Sequence, residues 1–402
     1  MKRVEEAKVQ FFVYTNVFSD KNILSPLFFF FFLWVLYKIP SILGRALHVK
    51  MLSLQDMIDG MKIFQNKYII VVLIIISFCA CHRKDKSKPQ PKVDEVVVKQ
   101  NIEQMHVHIH RYDVDLWNIN RDSILQSLQN MQSEYAFFLG DSIRPEGVQQ
   151  IKNYLNDPII KKLYKEVQNV YADCNFLEQA FDSAFALLQY HFPNAVIPQI
   201  YTAITGLYYE MPIMFYDTTL VIALDLYLGS NYKMYKQLGP AVPQYVYHRF
   251  SKEYILSDCF KEMAFKYIEY NQATSVLDEM LIEGKRMMFA SVMLPNVHDT
   301  LIYGVSRSKL QWAVDNEADI WSYIVNQDLL YSKNKSDVRT LIGEAPFTAC
   351  FGNQSPGRIG AWIGWNICRA WVKNNPDKPI RELMQEKNSQ KILKESKYKP
   401  QK

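Results

Sequence analysis

The chain has 402 residues, 49% of them hydrophobic, with 46 Lys and Arg against 41 Asp and Glu. Nine of those basic residues and five of the acidic ones lie in residues 1–80, which leaves 37 against 36 in the remainder. A near-neutral body of this kind carries no nucleic-acid footprint, and its length is enough for one large or two small domains with a sizeable core.

Residues 1–60 contain the run "ILSPLFFFFFLWVLYKIPSIL", Ile23 to Leu43, which is long and apolar enough to be a membrane-span candidate. A second hydrophobic start follows it closely, so residues 1–60 read as an over-extended N-terminus and Met61 as the preferred start. The apolar run from Tyr68 to Ala80 is thirteen residues long. That is short of the roughly 20 needed for a span but within the ~7–15 of a secretory signal core. Lys62 and Lys67 supply the basic flank, so residues 61–80 read as a signal peptide. Its end, Phe78-Cys79-Ala80-Cys81, resembles a lipobox, in which small residues precede a cysteine that is acylated and becomes the first mature residue. Phe78 stands where Leu is usual and Cys79 is an uncommon neighbour. Cys81 is the lipidation candidate, and it implies a membrane partner through a lipid anchor. Residues 81–100 are rich in Lys, Pro and Ser with no apolar period and read as a solvated tether. The globular domain is then residues 101–402.

The body opens with "QMHVHIHRYDVDLWNI", whose strict alternation predicts a strand with His106, His108 and His110 on one face. Three imidazoles so spaced could ligate zinc or copper. A half-exposed strand explains them as well, and no metal is assigned. Helical spacing follows over 121–138 and 146–192, with Pro145 and Pro158 near helix starts. "AVIPQIYTAITG", "MPIMFYDTT" and "LVIALDLYLG" predict three short strands of a small sheet. Helices are predicted over 254–270, 275–294, 308–331 and 357–374, so the fold class is α+β and predominantly helical. Cys174, Cys259, Cys350 and Cys368 show no CxxC spacing and sit in apolar contexts that favour free buried thiols over disulfides.

Within the last predicted helix Gly357, Gly360 and Gly364 recur beside Trp362, Trp365 and Trp371, a stripe on which a second helix can approach closely. Asp315, Glu317 and Asp319 do not share a helical face, which argues against a carboxylate metal cluster. Glu317, Asp319 and Trp321 suit either a cleft or a solvated helix face.

Six segments in order carry a family resemblance: "FYDTTLVIALDLYLGSNYKMYK", "VPQYVYHRFSKEYI", "LDEMLIEGKRMMF", "LQWAVDNEADIWSYIVNQDLLYS", "PFTACFGNQSPGRIGAWIGWNICRAW" and "ILKESKYKP". Together they resemble the gliding motility lipoprotein GldB family of Bacteroidetes, from about Gln104 to Pro400. The resemblance implies an envelope lipoprotein associated with surface motility and the allied secretion apparatus, whose proteins are the implied partners.

The family is in turn similar to predicted zinc peptidases with an HExxH helix and a Glu-Gly motif some 20 residues on, which implies a degenerate zincin-like body. Such a site needs two imidazoles at i and i+4 with a Glu beside the metal-bound water. Here "DCFKEMAFKYI" places Lys261, Glu262 and Phe265 at those positions, and Glu283-Gly284 lies 22 residues after Lys261. Phe265 offers no donor and an ammonium at Lys261 repels a cation. The expected cleft comprises Lys261, Glu262, Phe265, Glu283, Lys285, Arg358 and Trp362, with Glu262 paired to Lys261 or Lys285, no metal and no cofactor. Binding is the expected mode of action, and a hydrolase with a site other than HExxH is the competing class.

Overall fold

The computed structural model describes residues 89–239, 242–272 and 275–400. Cys81, the expected signal peptide over residues 61–80 and residues 1–60 lie outside these. The first helix, α1 (Glu95–Gln104), starts at Asp94, whose carboxylate accepts from the N–H groups of Val96 at 3.0 Å and Val97 at 3.3 Å. It begins inside the stretch expected to be a solvated tether. An N-cap Asp followed by Glu95 is a helix start that composition alone hides. Asn101 ties it to the body by donating to Ala186 O.

The strand expected over "QMHVHIHRYDVDLWNI" shrinks to β1 (Ile109–His110), and Tyr112–Trp117 is helix α2. The reason lies in where the backbone donors go. Val107 N–H donates to Asp182 at 2.7 Å and Ile109 N–H to Glu178 at 2.9 Å, so carboxylates of a helix take the bonds that a longer strand would have given to its neighbour. The alternation still sorts the faces: Ile109 is buried, while His106 and His108 are exposed.

Helices α3 (Ile124–Met131), α4 (Ala136–Leu139), α5 (Pro145–Asn156), α6 (Pro158–Val170) and α7 (Asn175–His191) follow, the two prolines standing at the first helical position as their spacing predicts. The three expected strands are present as β2 (Gln199–Ala203), β3 (Ile213–Tyr216) and β4 (Thr219–Ala223). They complete a four-stranded sheet of order β1-β2-β4-β3, parallel except for the β3–β4 hairpin, with Ile200 opposite Leu220 and Met214 opposite Val221. Side chains of a strand alternate between faces, so β2 and β4 feed two cores. Tyr201 and Val221 join Tyr112, Leu128 and Leu155 on one face. Ile200, Leu220 and Ile222 join the larger cluster of Phe185, Phe260, Met288 and Ile363 on the other.

The second half is helical: α8 (Lys233–Gln237), α9 (Gln244–Tyr247), α10 (Ile255–Met263), α11 (Val276–Met293), α12 (Asp299–Tyr303), α13 (Arg307–Asp315), α14 (Glu317–Asn326), α15 (Lys335–Ile342), α16 (Ile359–Asn374), α17 (Ile380–Gln385) and α18 (Ser389–Ser396). A capping box of Ser275 and Asp278 starts α11. The helix expected over 308–331 breaks at Asn316, whose side chain donates to Trp312 O at 2.8 Å and so competes with the next helical turn.

The frame of the larger core is the crossing of α11 and α16. A Cβ at Gly364 would lie 1.8 Å from Met280 O, and one at Gly284 would lie 2.3 Å from the carbonyl carbon of Gly364. The two helices therefore touch backbone to backbone there. The other two glycines of the expected stripe serve different neighbours: Gly360 faces Leu341 and Ile342 of α15, and Gly357, which precedes the helix, lies against Ala345 O. No helix among the described residues is long and apolar enough to cross a membrane.

Candidate functional site

Two adjoining cavities, of about 470 Å³ and about 410 Å³, share the residues Arg249, Glu344 and Arg358 on their walls. The charged side chains arrive on several supports. The last turns of α10 bring Asp258, Lys261 and Glu262, the middle of α11 brings Glu283 and Arg286, and Glu344 follows α15. Arg358 stands immediately before α16 in a left-handed conformation, φ 57° and ψ 38°. For a residue with a Cβ that conformation costs on the order of 1 kcal/mol, so it persists where surrounding contacts fix it.

Those contacts form a chain of ion pairs. Arg286 Nη1 donates to Glu283 Oε1 at 2.7 Å, and Arg358 Nη2 donates to the other oxygen of the same carboxylate. Arg358 Nη1 and Arg249 Nη1 both donate to Glu344 Oε1, each at 3.2 Å. On the other side Arg286 Nη2 lies 3.6 Å from Glu262, and its Nε donates to Lys261 O. Lys261 Nζ is 2.9 Å from Asp258, which also accepts from Tyr227 OH at 3.0 Å. Four cations and four carboxylates thus interlock along the cleft.

Charge states follow from burial against these partners. Burial pushes the Glu283 carboxyl up, but the guanidiniums of Arg358 and Arg286, with Lys261, outweigh it and hold the group below the usual range. Glu344 is held down in the same way by Arg358 and Arg249 against the effect of burial. Burial pulls the Lys261 ammonium down, and Asp258 restores only part of that loss.

Of the residues expected from sequence to form a cleft, Lys261, Glu262, Glu283 and Arg358 do come together. Glu262 meets Arg286, however, and not Lys261 or Lys285. Phe265 lies at the edge, 42% exposed, with the Arg286 guanidinium 4.3 Å from its ring centroid. Lys285 belongs elsewhere: it points away from Glu283 and donates to the carbonyls of Glu269, Met384 and Glu386, closing the C-terminal end of α17. Trp362 is 2% exposed and packs in the core, so it lines no groove. Four participants were not foreseen. Arg286 was within reach of sequence reasoning, because it stands three residues after Glu283 on one helix. Asp258 carries the same signal, three residues before Lys261 on α10, whereas Arg249 and Glu344 carry none.

A zinc-peptidase site does not fit these residues. The helix α10 ends at Met263 and tightens into a 3₁₀ turn over Ala264–Lys266, so Lys261 and Phe265 leave the shared face: Lys261 is buried against Asp258 and Phe265 is exposed. The Arg286 guanidinium lies 3.6 Å from Glu262 and sets a positive charge beside that carboxylate. Among the described residues no three His, Cys, Asp or Glu side chains converge as a metal-ligand set. Two of the three histidines of the N-terminal segment lie beside acids: His108 with Glu178 at 3.3 Å and His110 with Glu134 at 2.8 Å, while His106 is exposed. Glu317 is buried and accepts from Tyr398 OH at 2.7 Å, with Trp321 edge-on to the same ring, so this pair clamps the C-terminal segment while Asp319 is solvated.

The family model described as gliding motility protein GldB matches residues 91–400. No curated protein and no solved structure matches the chain. The matched span takes in both cores, the α11–α16 crossing and every charged residue of the cleft, and the chain belongs to the gliding motility protein GldB family.

Proposed function

We propose that this protein is a lipoprotein of the cell envelope that works by binding: acylation of Cys81 holds it to a membrane leaflet, and the charged cleft engages a partner of the motility or secretion machinery. Family membership and the lipobox-like end of the signal segment support the anchor. Each buried methylene of an acyl chain contributes about 0.8 kcal/mol, so two or more chains give stable attachment. The observation that carries the binding reading is the set of ion pairs in the cleft. Both oxygens of Glu283 are held by guanidiniums and Lys261 is held by Asp258, so neither is poised as a general base or nucleophile.

The anchor is tested by Cys81→Ala. The wild type is expected in the membrane fraction with an acylated N-terminal cysteine by mass spectrometry, and the variant in the soluble fraction. An unmodified thiol on wild-type protein sinks the anchor. The cleft is tested in cells with a photo-crosslinking residue at Phe265 on its edge and, as a control, at Val325 on α14. A discrete adduct at Phe265 that is lost on Arg286→Ala supports the reading, and equal adducts at both positions overturn it.

A further inference from the structure

We propose that Glu344 stands in for a ligand, and that the cleft recognises a carboxylate-bearing peptide by seating that carboxylate between Arg249 and Arg358 in place of Glu344. The inference rests on the reading of the cleft as a binding site and names what it binds.

The two carboxylates that hold Arg358 are unequal. Glu283 sits mid-helix on α11 with its side chain 16% exposed, and each of its oxygens serves one guanidinium. Glu344 is 48% exposed and lies in the stretch 343–348, which has neither helix nor strand. A single oxygen of Glu344 takes both Arg249 and Arg358, at 3.2 Å each, longer than the ~2.7–2.9 Å of a strong charge-assisted bond. Glu344 is therefore the replaceable partner, and Glu283 the fixed one.

Its departure would leave the guanidiniums in place. Arg358 remains held by Glu283. The stem of Arg249 lies so close over Gly304 that a Cβ there would come within 2.9 Å of its Cδ, which orients the side chain independently of Glu344. A planar guanidinium so fixed suits a carboxylate, and little ordering cost remains on binding. The charge balance points the same way. The cavity that includes Lys309 is lined by Arg249, Arg358 and Lys309 with Glu344 as its one carboxylate, so with Glu344 displaced no anionic side chain remains on its wall. Because Arg249, Glu344 and Arg358 line both cavities, a carboxylate seated there can extend its chain into either. Each is of the size that takes an amino-acid side chain or a short peptide segment.

The test uses the full chain in detergent and three fluorescent Ala-Gly hexapeptides: one with a central Glu and an amidated end, one with a central Gln and a free C-terminal carboxylate, and one with a central Gln and an amidated end. At least one carboxylate peptide is expected to bind and the neutral peptide not to bind, the first two distinguishing a side-chain from a terminal carboxylate. Removing the internal competitor with Glu344→Gln is expected to tighten binding by about tenfold, which corresponds to about 1.4 kcal/mol. Arg249→Gln is expected to abolish it. Glu344→Asp, which keeps the charge, shows whether any loss in the Gln variant is a folding defect. Binding that is unchanged or weakened in a folded Glu344→Gln protein overturns the inference while leaving the cleft as a binding site. Absence of binding to every peptide in both forms overturns it too, and the crosslink at Phe265 then decides the cleft separately.

Discussion

Gly364→Ala sets two physical effects of opposite sign against each other. Helix propensity alone predicts that alanine stabilises the middle of α16 by about 1 kcal/mol. The structure predicts the reverse, because the new Cβ would lie 1.8 Å from Met280 O and 2.5 Å from its carbonyl carbon. An ordinary contact needs about 3.4 Å or more, and the obstacle is backbone within α11, so no side-chain rotamer relieves it. The helices must part by more than 1 Å, and overpacking of a filled core costs roughly 1–3 kcal/mol or more. A rigid obstacle puts the cost at the upper end, so the net expectation after the propensity gain is a loss of about 2 kcal/mol. Urea denaturation followed by circular dichroism reads this as a lower midpoint at unchanged slope. Gly147→Ala in the first turn of α5, where a Cβ meets nothing within 4 Å, is the control and is expected to be neutral or stabilising. If Gly364→Ala behaves like Gly147→Ala, the close crossing of α11 and α16 is refuted.

Two further outcomes are expected. Burial lowers the Lys285 ammonium to about 8, whereas in the unfolded chain it titrates near 10.4, so the unfolded state binds more protons between these values. Wild-type stability relative to Lys285→Met should therefore rise with pH from about 8 to about 10.4, and a flat difference across that window counts against the buried ammonium. Cys174, Cys259, Cys350 and Cys368 are free, and Cys350 alone among them is exposed. In native protein a thiol reagent should modify Cys350 and spare the other three until denaturant is added, with peptide mapping to identify the site. Early modification of Cys259 or Cys368 would contradict the packing of the larger core.

The parts of the fold legible in sequence are those set by local chemistry. Pro145 and Pro158 mark helix starts because proline fits the first turn, and Ser275 with Asp278 marks another because side chain and backbone cap each other. Of the three apolar runs, the first and third contain β2 and β4, whose residues are buried on both faces of the sheet, and the second contains the half-buried β3. What failed was decided by distant partners. The alternation of Val107, Ile109 and their histidine neighbours predicts a strand, but Asp182 and Glu178, some seventy residues on, supply the acceptors that end it early. Trp362 and Lys285 were misplaced for a related reason. Helices α16 and α11 are apolar over most of their circumference, so helical spacing cannot say which side faces a cleft.

The charged cleft was half legible for a reason that also explains how it holds its shape. Its acids and bases are drawn from Arg249 to Arg358, and the pairing of Glu344 with Arg249 is a tertiary quantity that no local spacing encodes. A partly buried network of this kind gains little net stability, since desolvation offsets much of the Coulomb attraction. Its geometry must come from elsewhere, and the nearest rigid element is the backbone contact of Gly284 with Gly364. Gly284 adjoins Glu283 in sequence, and Gly364 lies on the helix that Arg358 begins. The distance between the carboxylate and its guanidinium is thus set by how closely two helices pack, and the left-handed backbone of Arg358 is the local adjustment that closes the remaining gap. Core packing positions the ion pairs, and the ion pairs do not position the core.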